Sequence, residues 1–210
     1  MSNEKIIPIN KIREDLIKAQ VEKTIREKFK DMVDATFSLQ KRIKQLTGFD
    51  LYSNQVEIVE CLMADDIKNL TLTGARDSGK TFGVLLGLAL YSIQHPGLEV
   101  GLTAPTDDQS NRMIKTFISK IMSAPGIKEF VVKGKTTNTH VEFTNGAYWD
   151  SFSGNETGHQ EGRHYDCLVL DEAQDLADRV VSNILLPMIG HSKLSKVIKL
   201  GVPRLRNNFY

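Results

Sequence analysis

The residues best suited to chemistry form the stretch GARDSGKT (74–81). It satisfies the pattern GxxxxGK[ST], with Gly74, Gly79, Lys80 and Thr81 at the fixed positions. Glycines in such a loop let backbone amides close around phosphates, the lysine reaches the β- and γ-phosphates, and the hydroxyl ligates Mg²⁺. The stretch therefore predicts a binding loop for ATP or GTP, and a glycine-rich turn without a ligand is the alternative. The predicted phosphate contacts run along the whole loop: Gly74, Ala75, Arg76, Asp77, Ser78, Gly79, Lys80 and Thr81.

A second set of chemical groups ends the apolar run in CLVLDEAQ (167–174). Asp171 and Glu172 follow four apolar residues, which predicts two carboxylates at the carboxyl edge of a sheet, where open α/β sheets bind ligands. We expect Asp171 to hold Mg²⁺ together with Thr81, and Glu172 to orient the attacking water or accept its proton. A surface ion pair between Glu172 and a lysine is the alternative.

Gln55 is a candidate for base recognition. It stands at the start of a predicted amphipathic helix in FDLYSNQVEIVECL (49–62), shortly before the first predicted strand. A glutamine amide can donate to and accept from the edges of adenine, which favours ATP over GTP. The alternative is an ordinary surface glutamine.

Strand and helix patterns alternate after residue 48 and must position these groups. Strands are predicted at 69–75, 99–105, 167–173 and 196–203, helices at 79–94, 107–123 and 175–188, and a hairpin at 140–152 around Asn145-Gly146. Alternation of this kind predicts an α/β fold with a mostly parallel sheet and helices on both faces. The strand at 99–105, between the loop and the carboxylates, is typical of RecA-like P-loop NTPases of the additional-strand, catalytic-glutamate class.

Residues 1–48 differ in pattern from the rest of the chain. Apolar residues recur there at helical spacing among eleven Lys/Arg and seven Asp/Glu. The pattern predicts an N-terminal amphipathic helical segment (1–48) ahead of a P-loop ATPase domain (49–210). The segment either packs on the core or serves as a partner-binding arm.

Composition excludes several protein classes. The chain has 210 residues, 40% hydrophobic and 25% charged, with a net charge of +1, as expected for an ordinary globular domain. Cys61 and Cys167 stand apart, and no run has the length of a membrane span or a signal-peptide core, which predicts an intracellular protein. Residues 179–210 carry six Lys/Arg and no acid, so this end is either a nucleic-acid-facing surface or a solvated face.

Several motifs together resemble one family. They are LYSNQ, GARDSGKT, TAPTDDQSNRM, TNGAYWDSFSGNETGHQEGRHYD, LVLDEAQ and LGVPRLRNNFY. In this order they resemble the ATPase domain of large terminase subunits, the DNA-packaging motors of tailed bacteriophages. The resemblance implies Mg²⁺-dependent ATP hydrolysis that drives double-stranded DNA into the procapsid. It also implies a portal protein and a small terminase subunit as partners, a homo-oligomeric ring, and a location in the host cytoplasm at the procapsid portal, with no membrane.

The resemblance also assigns roles to two arginines. Arg76 is similar to the family's loop arginine and would stabilise transition-state charge within its own subunit. Arg163 is similar to an arginine that reaches into a neighbouring subunit's site. An ion pair of Arg163 with Asp166 or Glu161 is the alternative.

The C-terminal stretch is similar to the family's coupling region, here Gly201, Val202 and Pro203. Val202 stands where a threonine is common, so a hydroxyl contact at that position is in doubt. The nuclease domain of ribonuclease H type that usually follows is not expected in this chain, and neither is DNA cleavage.

Two other functions stay open. The core of a superfamily 1 or 2 helicase fits DEAQ and Gln55, although the strand after the carboxylates leads into Gly-Val-Pro-Arg instead of the Gly-Asp…Gln usual in superfamily 1. A non-hydrolysing assembly or docking module is the third possibility, and Glu172 argues against it.

Overall fold

The computed structural model describes residues 38–155, 163–190 and 192–202. Within them lies one sheet of six strands in the order β1-β6-β5-β2-β4-β3. The strands are β1 (Asn69–Thr73), β2 (Glu99–Ala104), β3 (His140–Glu142), β4 (Tyr148–Ser153), β5 (Cys167–Leu170) and β6 (Lys196–Gly201). All neighbouring pairs are parallel except β3 with β4, which are antiparallel.

Helices cover one face of the sheet. They are α1 (38–47), α2 (Ser53–Met63), α3 (Lys80–Gln94) and α4 (Asp107–Thr116), and α4 continues into a π-helical turn at Phe117–Ile121. Short helical turns cover the opposite face, at Ala173–Asp175, Asp178–Val180, Val181–Leu185 and Leu186–Met188.

Each face of the sheet carries an apolar core, and the side chains of β5 alternate between the two. Cys167 and Val169 pack with the apolar residues of α2, α3 and α4, while Leu168 and Leu170 pack with those of the turns between 173 and 188. Because successive side chains of a strand point to opposite faces, a four-residue apolar run serves both cores. The predicted α/β architecture, with a mostly parallel sheet between helical layers, is confirmed.

The predicted strands are all present, and the hairpin is confirmed around Gly146, whose φ is 84°. The helix expected at 175–188 begins three residues later, because the backbone is extended at Leu176 and Ala177 (ψ 137° and 133°). From 178 to 188 the backbone is continuously helical, and it changes along its length from α-helical to π-helical and then to 3₁₀-helical turns.

The described part of the N-terminal segment, α1, ends where the sequence predicts. Gly48 has a φ of 80° and donates from its backbone N–H to the carbonyl of Lys44 at 2.8 Å, a helix-terminating contact. Ile43 is buried in the main core, so α1 packs on the domain. Residues 1–37 lie outside the described residues. None of the described helices is long and apolar enough to cross a membrane.

Candidate functional site

The loop at 74–81 joins the end of β1 to the start of α3. Two of its residues have a left-handed backbone, Asp77 with φ 58° and Gly79 with φ 79°. Gly79 is the N-terminal cap of α3, so the free backbone N–H groups of the first helical turn face the loop. The helix dipole adds partial positive charge at the same place. The local geometry suits an anion.

Lys80 places its ammonium inside the loop. Its Nζ donates to the carbonyls of Gly74 (2.9 Å) and Ala75 (2.8 Å) and to Ser78 Oγ (3.1 Å). These contacts hold the positive charge where a phosphate enclosed by the loop would meet it.

The first turn of α2 fastens this loop from outside. Asn54 Nδ2 donates to the Ser78 carbonyl (3.3 Å) and Gln55 Nε2 to the Gly79 carbonyl (3.4 Å). Gln55 Oε1 also accepts from the backbone N–H of Tyr52 at 3.0 Å, and Gln55 is only 7% exposed. The structure thus shows Gln55 supporting the loop, and its predicted contact with adenine stays a prediction.

The two carboxylates follow β5 at the same edge of the sheet. Asp171 accepts from the backbone N–H of Glu172 at its Oδ1 (3.0 Å). The pKa of Asp171 is raised to about 6, mainly by burial and also by the charge of Glu172, while the backbone hydrogen bond and Lys80 act in the opposite direction. Glu172 has a left-handed backbone with φ 48°, which non-glycine residues adopt rarely and at a cost of about 1–3 kcal/mol. Local strain of this kind is concentrated at functional sites.

Two cavities of about 540 and 390 Å³ adjoin in front of the loop and share Asp77, Lys80, Thr81, Arg112 and Asp171. The smaller one brings together most of the predicted site residues: Arg76, Asp77, Lys80, Thr81, Asp171, Glu172, Gly201 and Val202. Pro203 lies outside the described residues. The loop, the carboxylates and the predicted coupling residues therefore form one site.

The residues present fit a magnesium ion. Asp171 and Thr81 line the same cavities, and a cation beside the buried Asp171 carboxyl would stabilise its charged form. No cluster of three or more His, Cys, Asp or Glu able to hold a metal occurs among the described residues. Mg²⁺ commonly takes few protein ligands and completes its shell with water and substrate phosphates, so this donor set is sufficient.

Arg163 lies elsewhere. Its Nη1 donates to the Tyr165 hydroxyl (3.4 Å), and its guanidinium sits 5.8 Å from the centre of the Phe152 ring. Both aromatic residues belong to the core on the sheet face opposite α3, and Arg163 does not line either cavity at the loop. The Asp166 carboxylate considered as its partner instead accepts from the Glu99 backbone N–H (3.1 Å), and Glu161 is outside the described residues.

Sequence reasoning missed several residues of the site. Gln109 and Arg112 reach the cavities from α4, and Lys120 reaches the larger one from the π-helical turn. Because α4 begins just after the carboxyl end of β2, its position on the ligand-binding edge was a usable signal. Asn54 and Gln174 gave no such signal, since Asn54 contacts Ser78, 24 residues away, and Gln174 contacts Val202, 28 residues away.

The comparisons with known proteins agree with the geometry. The family model described as phage terminase large subunit gpA, ATPase domain, matches residues 44–186. Comparison with curated proteins gives no match. Among solved structures, the ATPase domain of the Thermus phage P74-26 large terminase is similar at a TM-score of 0.62 and 17% identity, covering 81% of this chain and 72% of that one.

Two further large terminases are also similar in fold. That of bacteriophage HK97 has a TM-score of 0.59 at 16% identity, over 73% of this chain and 33% of that one. That of a thermophilic bacteriophage, in complex with ADP, has a TM-score of 0.52 at 13% identity, over 72% and 39%. The predicted P-loop NTPase-like fold is confirmed, and the match covers about a third of the first of these two chains and about two fifths of the second.

Proposed function

The chain belongs to the family of phage terminase large subunit gpA ATPase domains, and on this premise we propose that it hydrolyses ATP to drive double-stranded DNA into a procapsid. The observation that carries the proposal is the meeting of Lys80, Thr81, Asp171 and Glu172 around one cavity. A module that only binds nucleotide has no need of a second carboxylate placed there.

ATP binding would use the loop and the start of α3. Backbone N–H groups and Lys80 hold the phosphates, and the loop keeps its shape because Asn54 and Gln55 fasten it to α2. Thr81 and Asp171 would hold Mg²⁺, which supplies positive charge to the phosphate oxygens. A large terminase of similar fold is known in complex with ADP, which supports nucleotide binding by this chain.

Hydrolysis would depend on Glu172, whose carboxylate orients the attacking water and accepts its proton. Arg76 lines the same cavity and would meet the charge that develops on the γ-phosphate, an effect of an arginine worth about 10³–10⁵ in rate. Arg163, away from the site of its own subunit, would serve a neighbouring subunit in a homo-oligomeric ring.

Translocation would link this chemistry to partners. We assign double-stranded DNA, a portal protein and a small terminase subunit to this role, at the procapsid in the host cytoplasm. Gly201 and Val202 line the nucleotide cavity and would carry its state onward, with Pro203 following. Residues 1–48 would form a helical segment on the ATPase domain of 49–210.

A steady-state phosphate-release assay tests the proposal. Lys80→Ala should abolish nucleotide binding, while Glu172→Gln should bind ATP normally and lose turnover, because water activation matters only in the chemical step. Glu129→Gln, at an exposed position outside the cavities, is the matched control and should match the unmodified protein. Normal turnover by Glu172→Gln would remove Glu172 from this role.

A further inference from the structure

Gln174 connects the carboxylate of Glu172 to the end of β6. Its Nε2 donates to Glu172 Oε2 at 2.6 Å and to Asp175 Oδ2 at 3.1 Å. Its Oε1 accepts from the backbone N–H of Val202 at 3.2 Å. Gln174 is 7% exposed, so these bonds are largely protected from exchange with water.

The backbone around Glu172 is set independently of this side chain. Glu172 has a left-handed conformation, and the Asp175 N–H donates to the Glu172 carbonyl at 2.8 Å, which closes a tight turn. That turn fixes where the Glu172 side chain starts but leaves its χ angles free. The short bond from Gln174 is the contact that directs the carboxylate group itself.

The other end of Gln174 lies on a different strand. Val202 directly follows β6, and with Gly201 it lines the same cavity as Arg76, Lys80 and Thr81. Through these hydrogen bonds, a movement of this backbone would displace the Gln174 amide and, with it, the Glu172 carboxylate.

We propose that Gln174 is a positioning residue that couples the Glu172 carboxylate to the backbone after β6, so that the active orientation of Glu172 depends on the state of that segment. The proposal rests on the hydrolytic function proposed above and adds to it a route between the chemical step and the segment expected to transmit it. The route uses the main-chain N–H of Val202, so it does not require a hydroxyl at that position.

Gln174→Met tests the coupling, because it keeps the volume of the side chain and removes the amide. We expect kcat to fall about tenfold or more, the value of a lost hydrogen bond to a charged group, with KM and Kd for ATP within about twofold. Gln174→Asn, a shorter amide, should retain part of the rate. Gln40→Met is the matched control: it removes a glutamine that donates to the Leu51 carbonyl away from the site, and it should leave kcat unchanged.

Hydrogen exchange at the Val202 N–H gives a readout that does not need turnover. Gln174→Met should speed this exchange by about two- to tenfold, and so should Glu172→Ala, because Gln174 loses an anchor. In the Gln174→Met background, Glu172→Ala should not speed the exchange of the Val202 N–H any further. An unmodified protein that releases no phosphate refutes the hydrolytic function alone, whereas unchanged kcat in Gln174→Met, or additive exchange effects, refutes the coupling.

Discussion

The contact between Gly79 and Gln55 makes the support of the phosphate loop measurable. A Cβ at Gly79 would lie 2.3 Å from Gln55 Nε2 and 3.3 Å from its Cδ, so Gly79→Ala must displace the amide. The φ of 79° adds a backbone cost of about 1–2 kcal/mol for alanine. Displacing the amide loses two hydrogen bonds, one of them long at 3.4 Å, which together contribute about 1–2 kcal/mol.

Gly97→Ala separates the two costs. Gly97 has a φ of 74°, and nothing lies within 4 Å of a Cβ placed on it, so this variant carries the backbone cost alone. The free energy of unfolding should fall by about 2–4 kcal/mol in Gly79→Ala and by about 1–2 kcal/mol in Gly97→Ala. In a Gln55→Ala background, where the obstacle is gone, Gly79→Ala should cost no more than Gly97→Ala. The resulting coupling energy is about 1–2 kcal/mol.

Urea unfolding followed by the fluorescence of Trp149, which is the single tryptophan and is fully buried, measures these values. Binding of a non-hydrolysed ATP analogue should weaken in Gly79→Ala and not in Gly97→Ala, because only the former breaks a hydrogen bond between the loop and α2. The reasoning fails if the two glycine variants are equally stable, or if the Gly79→Ala penalty is the same with and without the Gln55 side chain.

Further predictions concern single residues of the site. Gln55→Ala should reduce selectivity for ATP over GTP by roughly 1–3 kcal/mol if the amide also reads adenine, and equal changes in both dissociation constants would leave it a loop support only. Burial raises the pKa of Asp171 to about 6, so the folded metal-free protein binds this proton more tightly than the unfolded chain and loses stability as pH rises from about 4 to 6. Asp171→Asn should therefore be more stable than the unmodified protein by roughly 1–3 kcal/mol at pH 7.5 and no more stable at pH 4. The same difference in the free energy of unfolding at both pH values would contradict this. Arg76→Ala should impair phosphate release at every protein concentration, because the loop belongs to the same subunit. Arg163→Ala should retain nucleotide binding and the slow turnover of the monomer. It should lose only the increase in turnover on ring assembly, which a concentration series with and without assembly would show.

The sequence predicted the features that depend on local pattern. The spacing of Gly79, Lys80 and Thr81 specifies a strand–loop–helix unit, and the apolar run before Asp171 specifies a buried strand, so their common edge followed from the rule for parallel sheets. Contacts between distant segments could not be predicted in this way. The hold of Gln55 on the loop joins residues 24 apart, and the bond of Gln174 to Val202 joins residues 28 apart. Nothing in the local sequence specifies either partner.

The strand order explains why the site couples so many segments. β6 lies between β1 and β5, so the phosphate loop, the Gly201–Val202 segment and the two carboxylates leave three adjacent strand ends. Neighbouring strands are about 4.8 Å apart, which separates the loop from the carboxylates by about 10 Å. On the proposed mechanism, a γ-phosphate at the loop and a water at Glu172 would meet within that gap, above the end of β6. We therefore expect the loss of the γ-phosphate to act first on the backbone of Val202, the position that Gln174 contacts.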